Sequence, residues 1–188
     1  MALFIEILLT TGGIAMCEKS VGLVLVTEVP DLGVAAVLRE RGFWNFEETD
    51  YQSWPGVCQV TVLGKLGPNE TFLLALRCET EEELGTRFLN AFWPGHKDLV
   101  EVFHEKTEEK EVVIFSAKVD FYMLNLIRLE PSTGSIRFLT QCGLDYVWDF
   151  RNFSKKAQIV PDRTMIAMFP DEAEAVKKAF KHFLKIND

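Results

Sequence analysis

The 188-residue chain contains no apolar run of about 18 residues, the length a membrane-crossing helix needs. It has no Cys-x-x-Cys pair: Cys17, Cys58, Cys78 and Cys142 are scattered, and His96, His104 and His182 stand at no metal-ligand spacing. Neither a disulfide framework nor a structural zinc site is therefore expected, and the thiols are expected to be reduced and mostly buried. Cations are also scarce, with 20 Lys and Arg against 28 Asp and Glu, a net charge of -8. That deficit argues against an extended nucleic-acid surface or attachment to an anionic membrane, both of which need clustered basic residues. The phosphate-loop and G-x-S-x-G signatures are missing as well. The apolar start ALFIEILLTTGGIA has no basic residues before it and is interrupted by Glu6, so it reads as a strand and turn, and the expected location is cytoplasmic.

What is present is an ordinary globular composition, 48% apolar and 26% charged, enough for one packed domain spanning residues 1–188. Residues 3–9, 21–29, 34–38 and 57–63 read as strands, the first two so nearly continuously apolar that their sheet should be covered on both faces. The connection RERGFWNFEETDYQSWPG is long and aromatic, as in loops that make contacts. Residues 71–84 predict a helix capped by Thr71 and stopped by Gly85, with Phe72, Leu73, Ala75, Leu76 and Leu84 as its apolar positions. Residues 99–105 and 111–119 predict a hairpin about a charged turn, and 136–140 a further strand. Residues 121–129 are ambiguous, and 171–186 predict a closing amphipathic helix.

The helix carries the chemistry. Glu79, Glu82 and Glu83 are spaced i, i+3, i+4, which sets them on one face, while Glu81 points elsewhere. Such crowding destabilises a helix, and acids near its C-terminus oppose the macrodipole. Two readings follow: a solvated acidic face, or ligands for a hard divalent cation.

The stretch GKLGPNETFLLALRCETEEELGT, residues 64–86, resembles the signature of the Nudix hydrolases, Gly-x5-Glu-x7-Arg-Glu-U-x-Glu-Glu-x-Gly-U, where U is a bulky aliphatic. Gly64, Glu70, Glu79, Glu82, Glu83 and Gly85 fall on its Gly and Glu positions without a gap. Three positions depart: Cys78 stands where the family has arginine, and Thr80 and Thr86 where it has aliphatics. Arg77 is one position away and points about 100° around the helix. The resemblance implies an α/β/α sandwich with a mixed sheet, a loop-helix-loop metal site, Mg²⁺ or Mn²⁺ as cofactor, and hydrolysis of a nucleoside diphosphate linked to another moiety. It implies Glu82 and Glu83 as principal metal and catalytic ligands, Glu79 beside them, and Gly64 and Glu70 as further members of the site. In that family the missing arginine orients the acids, so a catalytically weakened module that binds a nucleotide or a protein partner is the alternative.

The general base is left open among these acids, Glu105, Glu111 and Asp120. Arg39, Arg41 and Lys65 suit phosphate contacts or plain surface charge. Trp54, with Trp44, Phe46 and Tyr51, suits either a nucleobase or loop packing. Cys78 lies among acids that would raise its pKa, so it reads as a structural substitution and not as a nucleophile. The expected partner is a small nucleotide-type substrate, and a homodimer stays open.

Overall fold

A computed structural model describes residues 17–46, 49–152 and 164–185, so the strand expected at 3–9 lies outside the described residues. Among the described residues seven strands form one mixed sheet: β1 (Glu18–Val29), β2 (Gly33–Arg41), β3 (Cys58–Gln59), β4 (Val62–Lys65), β5 (Val100–Lys106), β6 (Lys110–Lys118) and β7 (Thr133–Thr140). Three α-helices among the described residues pack on it, α1 (Phe72–Leu84), α2 (Thr86–Phe92) and α3 (Pro170–Leu184). The strand order is β3-β2-β1-β6-β5, with β4 also on β1 and β7 on β2. The β1–β6 pairing is parallel, and the other pairings in this sheet are antiparallel.

The apolar run of β1 is explained by cover on both faces. Val24 and Val26 pack with Ala175, Val176, Ala179 and Phe180 of α3. Val21, Leu23 and Leu25 pack with Ala75, Leu76 and Leu84 of α1 and Phe88 and Phe92 of α2. With side chains alternating across the pleat, one strand feeds two cores, and the result is an α/β/α sandwich. Among the described residues no helix is long and apolar enough to cross a membrane.

The single strand expected at 57–63 is two short strands. β3 pairs with the end of β2, while β4 pairs with the start of β1. The chain between them enters the fork where β1 and β2 separate, beyond the Leu25–Val37 pair. The backbone there is satisfied by side chains: the buried Thr61 hydroxyl donates to the Val37 carbonyl and accepts from the Leu25 amide at 2.9 Å. The amide of Val60 donates to Glu172 of α3 at 2.6 Å. Unpaired groups in so dry a place would each be worth about 1–3 kcal/mol of lost stability.

Other boundaries also move. Gly64 does not end its strand, which runs on to Lys65, and Gly85, at φ 88°, ends α1 but lets α2 begin at Thr86. The ambiguous 121–129 segment opens with a 3-10 turn at Phe121–Leu126. Leu73, expected to be covered, is 42% exposed. Of the cysteines only Cys58 is buried; Cys17 is intermediate, and Cys78 and Cys142 are exposed, so the expectation of mostly buried thiols is corrected.

Candidate functional site

Helix α1 is aimed by the turn that precedes it. The Glu70 carboxylate accepts from the Gly67 amide at 2.9 Å and closes that turn, so it is spent on the loop. Thr71 then caps the helix, accepting from the Leu74 amide. Thr80, on a position where the Nudix signature has an aliphatic, is fully buried because its hydroxyl donates to the Leu76 carbonyl at 2.6 Å. The threonine thus supplies bulk inside the helix contact without an orphaned polar atom.

Gly64 makes room for Glu79. A Cβ there would lie 1.8 Å from the Glu79 carboxyl carbon, inside the space the carboxylate fills. Glu79 is half-buried against β4, whereas Glu82, one turn on, is exposed.

Glu83 is turned inward. It is 7% exposed, accepts from the Leu63 amide at 3.2 Å, and forms an ion pair with Arg39 of β2. Burial pushes its carboxyl up, to about 8, against the pull of Arg39 and the Leu63 amide. Arg39 thereby holds an acid of the helix from outside it. Cys78 is exposed and carries no such contact; partial desolvation, then Glu70 and Glu82, raise its thiol pKa.

The proton affinity of Glu79 is raised by burial first and then by Glu82, with Glu130 and Glu70 adding to it and Arg39 opposing. Glu130 was not found from the sequence. It sits on the loop before β7, half-buried, and no spacing rule ties it to the helix. The three carboxylates weighed as bases are engaged elsewhere: Glu105 with Lys110, Glu111 with Lys19, Lys106 and His104, and Asp120 with the Tyr122 amide. A groove of about 460 Å³ runs along Glu82, Gly85 and Glu130, with Arg87 and Arg128 on its sides.

The other expected contacts are placed as follows. Arg39 faces Glu83 and is not an open phosphate contact. Arg41 donates to Gln52 at 3.2 Å, and burial, with Arg39 beside it, lowers its pKa. Lys65 is 74% exposed and pairs with Glu18 at 2.8 Å. Trp54 stacks edge-on against Phe150 at 4.9 Å, in a small cluster with Val57 and Ala167, which is the packing alternative. Phe43, Trp44, Phe46 and Tyr51 remain exposed.

Among the described residues no three His, Cys, Asp or Glu side chains converge closely enough to hold an ion as they stand. The Glu83 carboxylate faces Arg39 and the Leu63 amide. The donor chemistry nevertheless fits a hard divalent cation: all oxygen, with like charges around Glu79 that a cation relieves.

No protein-family model and no curated protein matches the sequence. Solved structures do match. A mutT/nudix family protein from Listeria innocua is 17% identical, with 89% of this chain and 94% of that one aligned at a TM-score of 0.57. The NUDIX domain of Shewanella oneidensis NrtR, solved with ADP ribose, is 12% identical over 88% of each chain at 0.54. A C. elegans Ap4A hydrolase binary complex is 15% identical, covering 89% of this chain and 98% of that one at 0.50. At such identities the likeness is one of fold, and the fold is that of the Nudix proteins.

Proposed function

We propose that this Nudix-fold chain is a cytoplasmic pyrophosphohydrolase that cleaves the diphosphate bond of a nucleoside diphosphate linked to another moiety, with Mg²⁺ or Mn²⁺ as cofactor. The observation that supports the reading most is the crowding at Glu79, whose proton affinity is raised by burial first and then by Glu82, Glu130 and Glu70, with Arg39 opposing. Structural neighbours that carry ADP ribose or are Ap4A hydrolases support a nucleotide-type ligand.

Glu79 and Glu82 would hold the ion, with Glu83 kept behind them by Arg39 and by the Leu63 amide. A divalent ion in such a place neutralises diphosphate oxygens and lowers the pKa of water. Gly64 keeps the space for Glu79 open, and Glu70 holds the turn that starts the helix. Glu130, on its loop beside Glu79, is the downstream carboxylate best situated to take a proton from the attacking water. Arg87 and Arg128, along the same groove, suit the phosphate that leaves.

A second reading, a module that binds a nucleotide without hydrolysing it, is favoured by Cys78 at the signature's arginine position. The grip of Arg39 on Glu83 favours the first, because an arginine from a neighbouring strand does the orienting. Incubation with Mg²⁺ and a panel of nucleoside triphosphates, nucleotide sugars and dinucleoside polyphosphates distinguishes them. Hydrolysis of the anhydride that disappears with Glu82→Gln supports the enzyme; binding without turnover across the panel supports the module.

A further inference from the structure

Pro131 lines two cavities at once. On one side is the groove beside Glu82 and Glu130; on the other is a pocket of about 420 Å³ under the loop that follows β2. The walls of this second pocket are Phe43, Trp44 and Phe46, which are 40%, 38% and 59% exposed. Large rings left together in water are uncommon on a folded surface and mark a contact site. Trp44 is also held in place. Trp44 and Tyr51 face each other across a two-residue ladder, their rings edge-to-face at 5.3 Å.

The floor of the pocket is polar and rigid. Glu40 of β2, 7% exposed, pairs with Arg137 of β7 at 2.8 Å and accepts from the Ser135 hydroxyl at 3.2 Å. Both carriers are neighbouring strands of the main sheet, in register at Glu40 with Ser135 and Leu38 with Arg137. A carboxylate and a guanidinium side by side offer acceptor and donors together, as the polar edge of a heterocycle requires. Flat aromatic walls suit the π face of the same heterocycle.

We infer that this pocket binds the nucleobase of the substrate, stacked on Trp44 and Phe46 with its polar edge toward the Glu40–Arg137 pair. The phosphates then pass Pro131 to reach the acidic helix. The inference rests on the hydrolase reading for the phosphate end, while the base pocket is testable without turnover.

The test uses the full chain in EDTA, titrated with AMP, GMP, CMP and UMP and, separately, with ribose 5-phosphate, followed by tryptophan fluorescence and calorimetry. At least one nucleotide binds about tenfold or more tightly than ribose 5-phosphate and quenches fluorescence. Trp44→Phe keeps that binding by calorimetry but loses the quench. Trp44→Ala and, independently, Phe46→Ala weaken nucleotide binding about tenfold and leave the ribose 5-phosphate affinity unchanged. The proposal is overturned if ribose 5-phosphate binds as well as every nucleotide, if no nucleotide binds, or if both alanine variants, folded by circular dichroism, bind as the parent does. Base-dependent binding in a protein that hydrolyses nothing would sink the reaction and keep the pocket; hydrolysis indifferent to the base would do the reverse.

Discussion

Arg39 on strand β2 and Glu83 on helix α1 form an ion pair with only 11% and 9% of their side-chain surfaces exposed. With Arg39 gone, the Glu83 carboxyl, already pushed up to about 8 by burial, takes a proton and loses its bond to the guanidinium, a loss of about 1–3 kcal/mol. Arg39→Ala is therefore expected to lower the melting temperature and, with Glu83 free to move, to cut the rate about tenfold to a hundredfold. Cys78→Arg on the parent is expected to change the rate little, because Arg39 already holds the acid. Steady-state kinetics on both variants checks this. A large gain from Cys78→Arg would instead favour the weakened module.

Gly64 is expected to matter for function more than for stability. The atoms a Cβ would strike belong to the end of the Glu79 side chain, not to backbone, so the helix need not move. Gly64→Ala should leave the melting temperature nearly unchanged while displacing the carboxylate, with a loss of up to about a hundredfold in rate. Differential scanning calorimetry beside an activity assay reads both halves.

Glu172 gives a pH dependence whose sign is fixed. Its carboxyl is pushed up to about 8, by burial first with Asp171 adding to the rise, while the Val60 amide, Arg39 and Arg41 oppose. The folded chain thus binds a proton that the unfolded chain has released above about 4.5, so this group's contribution is fully present below that pH and is lost as the pH rises toward 8. Each tenfold change in proton affinity is worth about 1.4 kcal/mol. Glu172→Gln keeps an acceptor for the Val60 amide without the charge. Its stability relative to the parent should therefore rise between pH 5 and pH 8, as denaturant melts at several pH values would show.

The helix with its caps and the doubly covered sheet were legible because each is written in local spacing: Thr71 and Gly85 at the helix ends, and the unbroken Val and Leu of β1. The fork was not. Residues 57–63 form one apolar run, and only the divergence of β1 from β2 divides it, with Thr61 and Glu172 supplying the bonds that neither strand can. Arg39 was read as a candidate for phosphate because its strand position was visible and its partner, far along the chain, was not. Glu130 was missed for the same reason: its nearness to Glu79 is a product of folding. The second helix, α2, was hidden behind Gly85, whose positive φ both stops one helix and redirects the chain into the next.

Whether the acids of α1 grip a divalent ion, as proposed, is read by calorimetric titration with Mn²⁺. The expected result is one saturable site in the parent, weakened about tenfold or more when Glu79 and Glu82 are both changed to Gln in a chain that still folds. No saturable binding by the parent, or unchanged affinity in that double variant, would contradict it.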